Sequence, residues 1–266
     1  MPTMADAKRE MKAAVTADPP SSDGVAATAR LAAELGLPLA DPASRLFPLL
    51  LTVTATRLEL RSTGPRAPGP VFVDFCGGAV AFRRLHGGGR KQPLARALGL
   101  KSNRCPTVVD ATGGLARDAF VLACLGCRVT LMERSPILAA LVTDGLQRAM
   151  ADPETAAIVS ERLRLVQGDS RDLLLQMAEG ERPEVVYLDP MYPHRTKSAL
   201  VKKEMRALRL LVGDDADAPA LLAAALAAAE ERVVVKRPIN ADPITGQSPS
   251  LAVFGKTHRF DVYRLR

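Results

Sequence analysis

The sequence predicts an α/β protein built on a doubly wound, mostly parallel sheet. Three observations predict it. From about residue 105 onward, β-branched apolar runs alternate with segments of helical apolar spacing, the pattern of strands joined by crossover helices. A glycine pair, Gly113 and Gly114, follows the first of these strands, and an acid, Glu133, closes the second strand 20 residues after Gly113. The last stretch, "LAVFGKTHRFDVYRL" (251–265), reads as two strands joined by a polar turn, an antiparallel hairpin added to the parallel sheet.

The elements follow in order. Residues 1–22 are polar and end in Asp-Pro-Pro-Ser-Ser, which predicts a flexible tail. "VAATARLAAELGL" (25–37) has helical spacing and stops at Gly36 and Pro38. "LFPLLLTVTATRLELRS" (46–62) reads as two strands, "STGPRAPGP" (62–70) as a loop and "VFVDF" (71–75) as a further strand. A basic stretch broken by glycines, "AFRRLHGGGRKQPLARALGL" (81–100), comes next. These features predict a small N-terminal α/β domain over 23–95 and a larger domain over 96–266. In the larger one, "TVVDA", "RVTLME", "LRLVQGD", "EVVYLD" and "RVVVKRP" are strands, which with the terminal hairpin makes a seven-stranded sheet. "GLARDAFVLACLG", "PILAALVTDGLQRAM", "SRDLLLQMA" and the segment 198–230 are helical.

Composition narrows the class. The 266 residues are 47% hydrophobic and 24% charged, as in a soluble enzyme-sized protein. A net charge of +7 favours a polyanionic partner. Among the four cysteines, Cys124 and Cys127 form a C-x-x-C, but it straddles a helix end and a strand start. A redox pair would place its first thiol at a helix N-terminus. No second pair or histidine cluster supplies metal ligands, so free thiols in a reducing compartment and no metal are expected. No secretory leader and no run of 18 apolar residues is present, and the cytosol is the expected location.

The strand ends carry the chemistry. Asp110 closes the first strand of the larger domain, and Gly113 and Gly114 turn the chain into a helix whose free N–H groups face an anion. The dinucleotide fingerprint G-x-G-x-x-G is absent, which opposes an NAD-dependent oxidoreductase. Glu133 is placed to accept hydrogen bonds from ribose hydroxyls. Asp169, after the third strand, either reaches an adenine amino group or caps the next helix. The fourth strand ends in Asp189-Pro190-Met191-Tyr192. Pro190 cannot donate to a sheet ladder, so the strand stops there. This quartet is similar to the (Asn/Asp)-Pro-Pro-(Tyr/Phe) motif of methyltransferases that alkylate planar nitrogens, with Met191 in place of the second proline. An exocyclic amine is a poor nucleophile because its lone pair is delocalised into the ring. The Asp189 carboxylate and Pro190 carbonyl can hold its two N–H groups, and Tyr192 can stack on the base.

The resemblance goes further. "VFVDFCGGAVAFRR", "GGGRKQPLARALG", "VVDATGGLARDAFVLA", "YLDPMYPHRTKSALVKKEMR" and "RVVVKRP" together resemble the RsmJ family of 16S ribosomal RNA (guanine-N2)-methyltransferases, over about residues 45–263. The resemblance implies a Rossmann-like class I methyltransferase fold. It also implies S-adenosyl-L-methionine as cofactor and methyl transfer to the 2-amino group of one guanine in 16S ribosomal RNA, met in the small subunit or an assembly intermediate. Carried residue by residue, it implies cofactor contacts at Arg117, Asp118, Glu133, Arg134, Asp169, Ser170 and Asp189, beside the glycine turn at Asp110, Gly113 and Gly114. Arg83, Arg84, Arg90 and Lys91 before the site, and Lys202 and Lys203 after it, are candidates for RNA phosphates. Another ribosomal guanine, a DNA adenine or a protein glutamine would also suit the Asp-Pro-x-Tyr geometry. A further rival is a non-catalytic RNA-binding scaffold, which has no need of the strand-end acids.

Overall fold

The computed structural model describes residues 12–20, 22–65, 67–78, 88–191, 203–213, 215 and 217–265. In chain order the elements are β1 (Ala13–Ala17), α1 (Ser22–Leu35), β2 (Leu49–Val53), β3 (Leu58–Ser62), α2 (Pro93–Ala97), β4 (Thr107–Asp110), α3 (Arg117–Cys124), β5 (Arg128–Glu133) and α4 (Pro136–Met150). They continue with α5 (Ala156–Arg162), β6 (Leu163–Gln167), α6 (Ser170–Leu175), β7 (Val185–Leu188), α7 (Lys203–Val212), α8 (Ala218–Ala228), β8 (Arg232–Pro238), β9 (Leu251–Phe254) and β10 (His258–Arg264).

The chain divides into two units. The first takes Met1–Val73 and Met191–Asp214. Its sheet has the order β1-β2-β3, with β1 parallel and β3 antiparallel to β2. Helix α1 crosses between the two parallel strands and packs on both, while α7 packs on β3. Ala14, Phe47 and Leu50 form a small apolar cluster here, with Ala40 against it. The reading of residues 1–22 as a flexible tail is corrected at 13–17. The run AAVTA is wholly buried, because its small and β-branched side chains fit between α1 and β2. "VFVDF" is also corrected: only Val71 pairs, with Leu60. Asp74 then accepts the backbone N–H groups of Cys76 and Gly77, each at 3.0 Å, and this turn draws the chain away from the ladder.

The second unit takes Asp74–Pro190 and Asp215–Arg266. Its sheet has the order β6-β5-β4-β7-β8-β10-β9. Strands β6, β5, β4, β7 and β8 pair in parallel, and β10 runs antiparallel to both β8 and β9. The mostly parallel seven-stranded sheet with its antiparallel hairpin is therefore present. Its central strands are valine-rich because both faces are covered: Val108, Val109, Val185, Val186, Val233, Val234 and Val235 are buried. Phe75 stacks on Phe120 with ring centroids 4.7 Å apart. The division of the chain differs from the one expected at residue 95. Helix α2 packs on β9 and β10, so the segment leading into β4 belongs with the larger sheet. The chain winds outward from β4 to β6 and then returns to β7 on the other side of β4. That reversal opens a crevice at the carboxyl ends of β4 and β7.

Candidate active site

Four strand ends meet at this crevice. Asp110 ends β4 and is buried, accepting from the Thr112 backbone N–H at 3.1 Å and the Thr112 hydroxyl at 3.4 Å. Burial pushes its carboxyl up to about 7; the Thr112 N–H opposes this, while the charges of Asp118 and Asp189 add to it. Gly113 donates its N–H to the Met132 carbonyl at 2.9 Å. A Cβ at Gly113 would meet that same carbonyl at 3.0 Å, tighter than an ordinary contact, so glycine lets the turn lie this close to β5 without displacing it. Gly114 adopts φ +53°, and α3 begins three residues later at Arg117, which is exposed.

Glu133 ends β5 with both oxygens engaged. Oε2 accepts the Gly114 N–H and Oε1 the Ser135 N–H, each at 2.7 Å. Burial raises its pKa and the two N–H groups work against that rise. Arg134 turns its guanidinium into ion pairs with Asp215 and Asp217, the latter at 2.9 Å. Asp169 caps α6: it accepts the Arg171 N–H at 2.9 Å and pairs with the Arg171 side chain at 2.6 Å, which holds its carboxyl below the usual range. Ser170 is buried and donates its hydroxyl to the Ala111 carbonyl at 2.7 Å, which ties the β6 end to the β4 end.

Asp189 follows β7. Its N–H donates to the Thr112 hydroxyl at 2.6 Å, locking the β7 tip to the β4 tip. Its Oδ2 accepts from the Lys236 ammonium at 2.7 Å. The same ammonium donates to Asp118 Oδ2 at 2.9 Å, and the buried Tyr187 hydroxyl donates to that oxygen at 2.7 Å. The Asp189 side chain keeps 40% of its surface exposed. Even so, the protein crowded behind it raises its pKa, with Lys236 opposing. Burial disfavours charge on Lys236, but Asp189 and Asp118 outweigh it and hold the ammonium protonated.

The structure thus brings together Asp110, Gly113, Gly114, Asp118, Glu133, Ser170 and Asp189 around one crevice, with Pro190 next in the chain. Tyr192, Arg83, Arg84 and Lys202 lie outside the described residues, as does the side chain of Lys203. Lys91 is exposed. Arg90 has a structural task instead of a free charge: its guanidinium donates to the carbonyls of Lys101, Arg104 and Leu125 and lies 2.9 Å from the Cys105 sulfur. Sequence reasoning missed Thr112, Tyr187 and Lys236. The signal for the last was a lysine placed in an apolar strand, "RVVVKRP".

Two carboxyl groups, Asp118 and Asp189, share one ammonium here, with Asp110 beside them and Glu133 at the neighbouring strand end. Such a site fits a ligand that brings its own positive charge, and the glycine turn with its helix start fits an anionic group such as a carboxylate. A scan of known families matches residues 30–265 to the family described as "Putative SAM-dependent methyltransferase". A protein of Thioalkalivibrio sulfidiphilus named ribosomal RNA small subunit methyltransferase J is 56% identical over 233 residues, 88% of this chain and 91% of that protein. The protein of the same name from Aeromonas salmonicida is 60% identical over 213 residues, 80% of this chain and 85% of its own. Among solved structures, a SAM-dependent methyltransferase of Neisseria gonorrhoeae superposes with a TM-score of 0.72 at 35% identity, covering 94% of this chain and 95% of that one.

Proposed function

The chain belongs to the ribosomal RNA small subunit methyltransferase J family of SAM-dependent methyltransferases, and from that premise we propose that it methylates the 2-amino group of one guanine in 16S ribosomal RNA. The observation that carries the acceptor chemistry is the tie from Asp189 to Thr112, which sets the Asp189-Pro190 tip against the glycine turn of β4. S-adenosylmethionine, when bound, supplies a methyl on a sulfonium: the amine lone pair forms the new N–C bond, the C–S pair stays on sulfur, and the surplus amine proton leaves to water.

The chain's own residues bind and orient. Glu133 holds the Gly114 turn and offers its remaining lone pairs to ribose hydroxyls. Asp118 puts negative charge beside the crevice for a cationic ligand, and Asp110, lifted by burial to about 7, adds a carboxyl that ionises only near neutral pH. The Asp189 carboxylate and Pro190 carbonyl take the two N–H groups of the guanine amine, which aims its lone pair. Tyr192 supplies the face on which the base stacks. Holding both partners in line supplies much of the rate, since a delocalised amine needs orientation more than a strong base. Arg83, Arg84, Lys91, Lys202 and Lys203 follow the RNA phosphates; Arg90, held by three carbonyls, does not. The acceptor is met within the small subunit or an assembly intermediate, in the cytosol. Among the described residues no helix is long and apolar enough to cross a membrane.

Small subunits from a strain lacking the corresponding enzyme, incubated with the purified chain and methyl-labelled S-adenosylmethionine, test the reading. Mass mapping should find one N2-methylguanine in 16S ribosomal RNA. Label on another base, on protein or nowhere would refute the proposed acceptor.

A further inference from the structure

Lys236 joins three elements that are far apart in sequence. It stands on β8 immediately after Val235, the residue in register with Leu188 at the end of β7. Its side chain is 20% exposed, and its ammonium lies 2.7 Å from Asp189 Oδ2 and 2.9 Å from Asp118 Oδ2. Asp118 projects from α3 and also accepts the Tyr187 hydroxyl. The contact with Asp189 is through Oδ2, and Oδ1 is the oxygen this clamp does not use.

We propose that Lys236 is a positioning residue for methyl transfer: it pins Oδ2 of Asp189 and keeps that carboxylate ionised beside Asp118, so that Oδ1 accepts a hydrogen bond from the acceptor amine. The inference rests on the acceptor reading given above, but the electrostatic argument stands on the contacts alone. Several charged or titratable groups face Asp189. They are Lys236 on β8, Asp118 on α3, Asp110 at the β4 end, Tyr187 on β7 and His258 at the start of β10. Of the carboxyl groups, Asp118 opposes charge on Asp189, and the protein crowded behind the partly exposed side chain opposes it more strongly. Lys236 and His258 favour it, and Lys236 makes a hydrogen bond to it that fixes an oxygen. Removing the ammonium leaves Asp118 and Asp189 as close neighbours with no shared cation, so Asp189 takes up a proton at higher pH. A protonated Asp189 points an O–H at the amine where an acceptor is needed. The lysine itself, held protonated by its two partners, is no base for the amine proton.

Lys236→Met and Lys236→Arg test this in the full chain. The first readout is the titration of the Asp189 carboxyl by carbon NMR, assigned by comparison with Asp189→Asn. In Lys236→Met the midpoint should rise by about one pH unit or more, which corresponds to about a tenfold loss of the ionised form below it. The second readout is single-turnover methylation across pH: Lys236→Met should be slowed about tenfold or more near pH 7 and should recover as the pH rises. Lys236→Arg, which keeps the charge, should restore most of the rate and the lower midpoint. In Lys236→Met/Asp118→Asn, where the opposing charge is gone too, the midpoint should fall back toward the wild-type value. An unmoved Asp189 midpoint in folded Lys236→Met, or a rate loss equal at every pH, would overturn the proposal. If Lys236→Met does not fold, Asp118→Asn decides by itself: relieved of its neighbour, Asp189 should titrate lower, and a midpoint unchanged or higher would overturn it. If the wild type methylates no ribosomal RNA, the acceptor reading fails while the carboxyl titrations still decide the part of Lys236.

Discussion

Asp110 is a carboxyl group placed where water does not reach it, and its cost varies with pH. Burial lifts it from an ordinary value of 3.8 to about 7, so the folded chain keeps a proton there that the unfolded chain has released. Because the folded state binds the extra proton, stability falls as pH rises from near 3.8 to near 7, and the full loss is present above that. The gap corresponds to about 4 kcal/mol. Asp110→Asn keeps an oxygen for the Thr112 N–H and carries no charge. Its stability relative to wild type should therefore rise by about 2–3 kcal/mol between pH 5 and pH 8, measured by urea unfolding at both. Glu133 behaves differently, since both its oxygens hold backbone N–H groups. Glu133→Ala should weaken S-adenosylmethionine binding by about 1–3 kcal/mol in calorimetry, because the Gly114 turn loses its partner along with the ribose contact. These acids were legible in the sequence because each ends a strand, a local signal. Lys236 was not, since its partners lie 47 and 118 residues away and only the sheet order brings them together.

Among the elements, the β4–α3 turn is set by the strand beside it. Gly113 reaches the Met132 carbonyl through its N–H and leaves only a tight fit for a Cβ, 3.0 Å from that carbonyl. Gly113→Ala should push the turn off β5, costing about 1–3 kcal/mol of stability by overpacking and loosening cofactor binding together with it. Thermal unfolding with and without S-adenosylmethionine measures both effects, and an unchanged ligand-induced rise in Tm would separate the turn from the binding site. The strands and helices of the larger sheet were readable because valine-rich runs and helical spacing alternate regularly from residue 105 onward. The first unit was less readable. The run AAVTA is short, follows a polar start and becomes a strand only through parallel pairing with β2, some thirty residues further along. "VFVDF" has strand composition, yet the Asp74 turn removes it from the sheet after one bridge.

For the whole molecule, charge and chain path matter most. With a net charge of +7, affinity for ribosomal RNA should fall steeply as salt rises. Neutralising Arg83, Arg84, Lys202 and Lys203 together should flatten that slope by about one unit of log–log slope per lost phosphate contact, read from filter binding across a salt series. The path has a consequence of another kind. The chain leaves the larger unit at Met191, directly after the Asp189-Pro190 tip, gives α7 to the smaller unit, and re-enters the larger one at Asp215. Helix α7 packs on β3, a strand completed long before it in the chain. The smaller unit is thus the first to be started during synthesis, but it cannot be completed until much of the larger unit has already been made. Strands β4 to β7 emerge before its last helix does, so the two units mature in an interleaved order rather than one after the other.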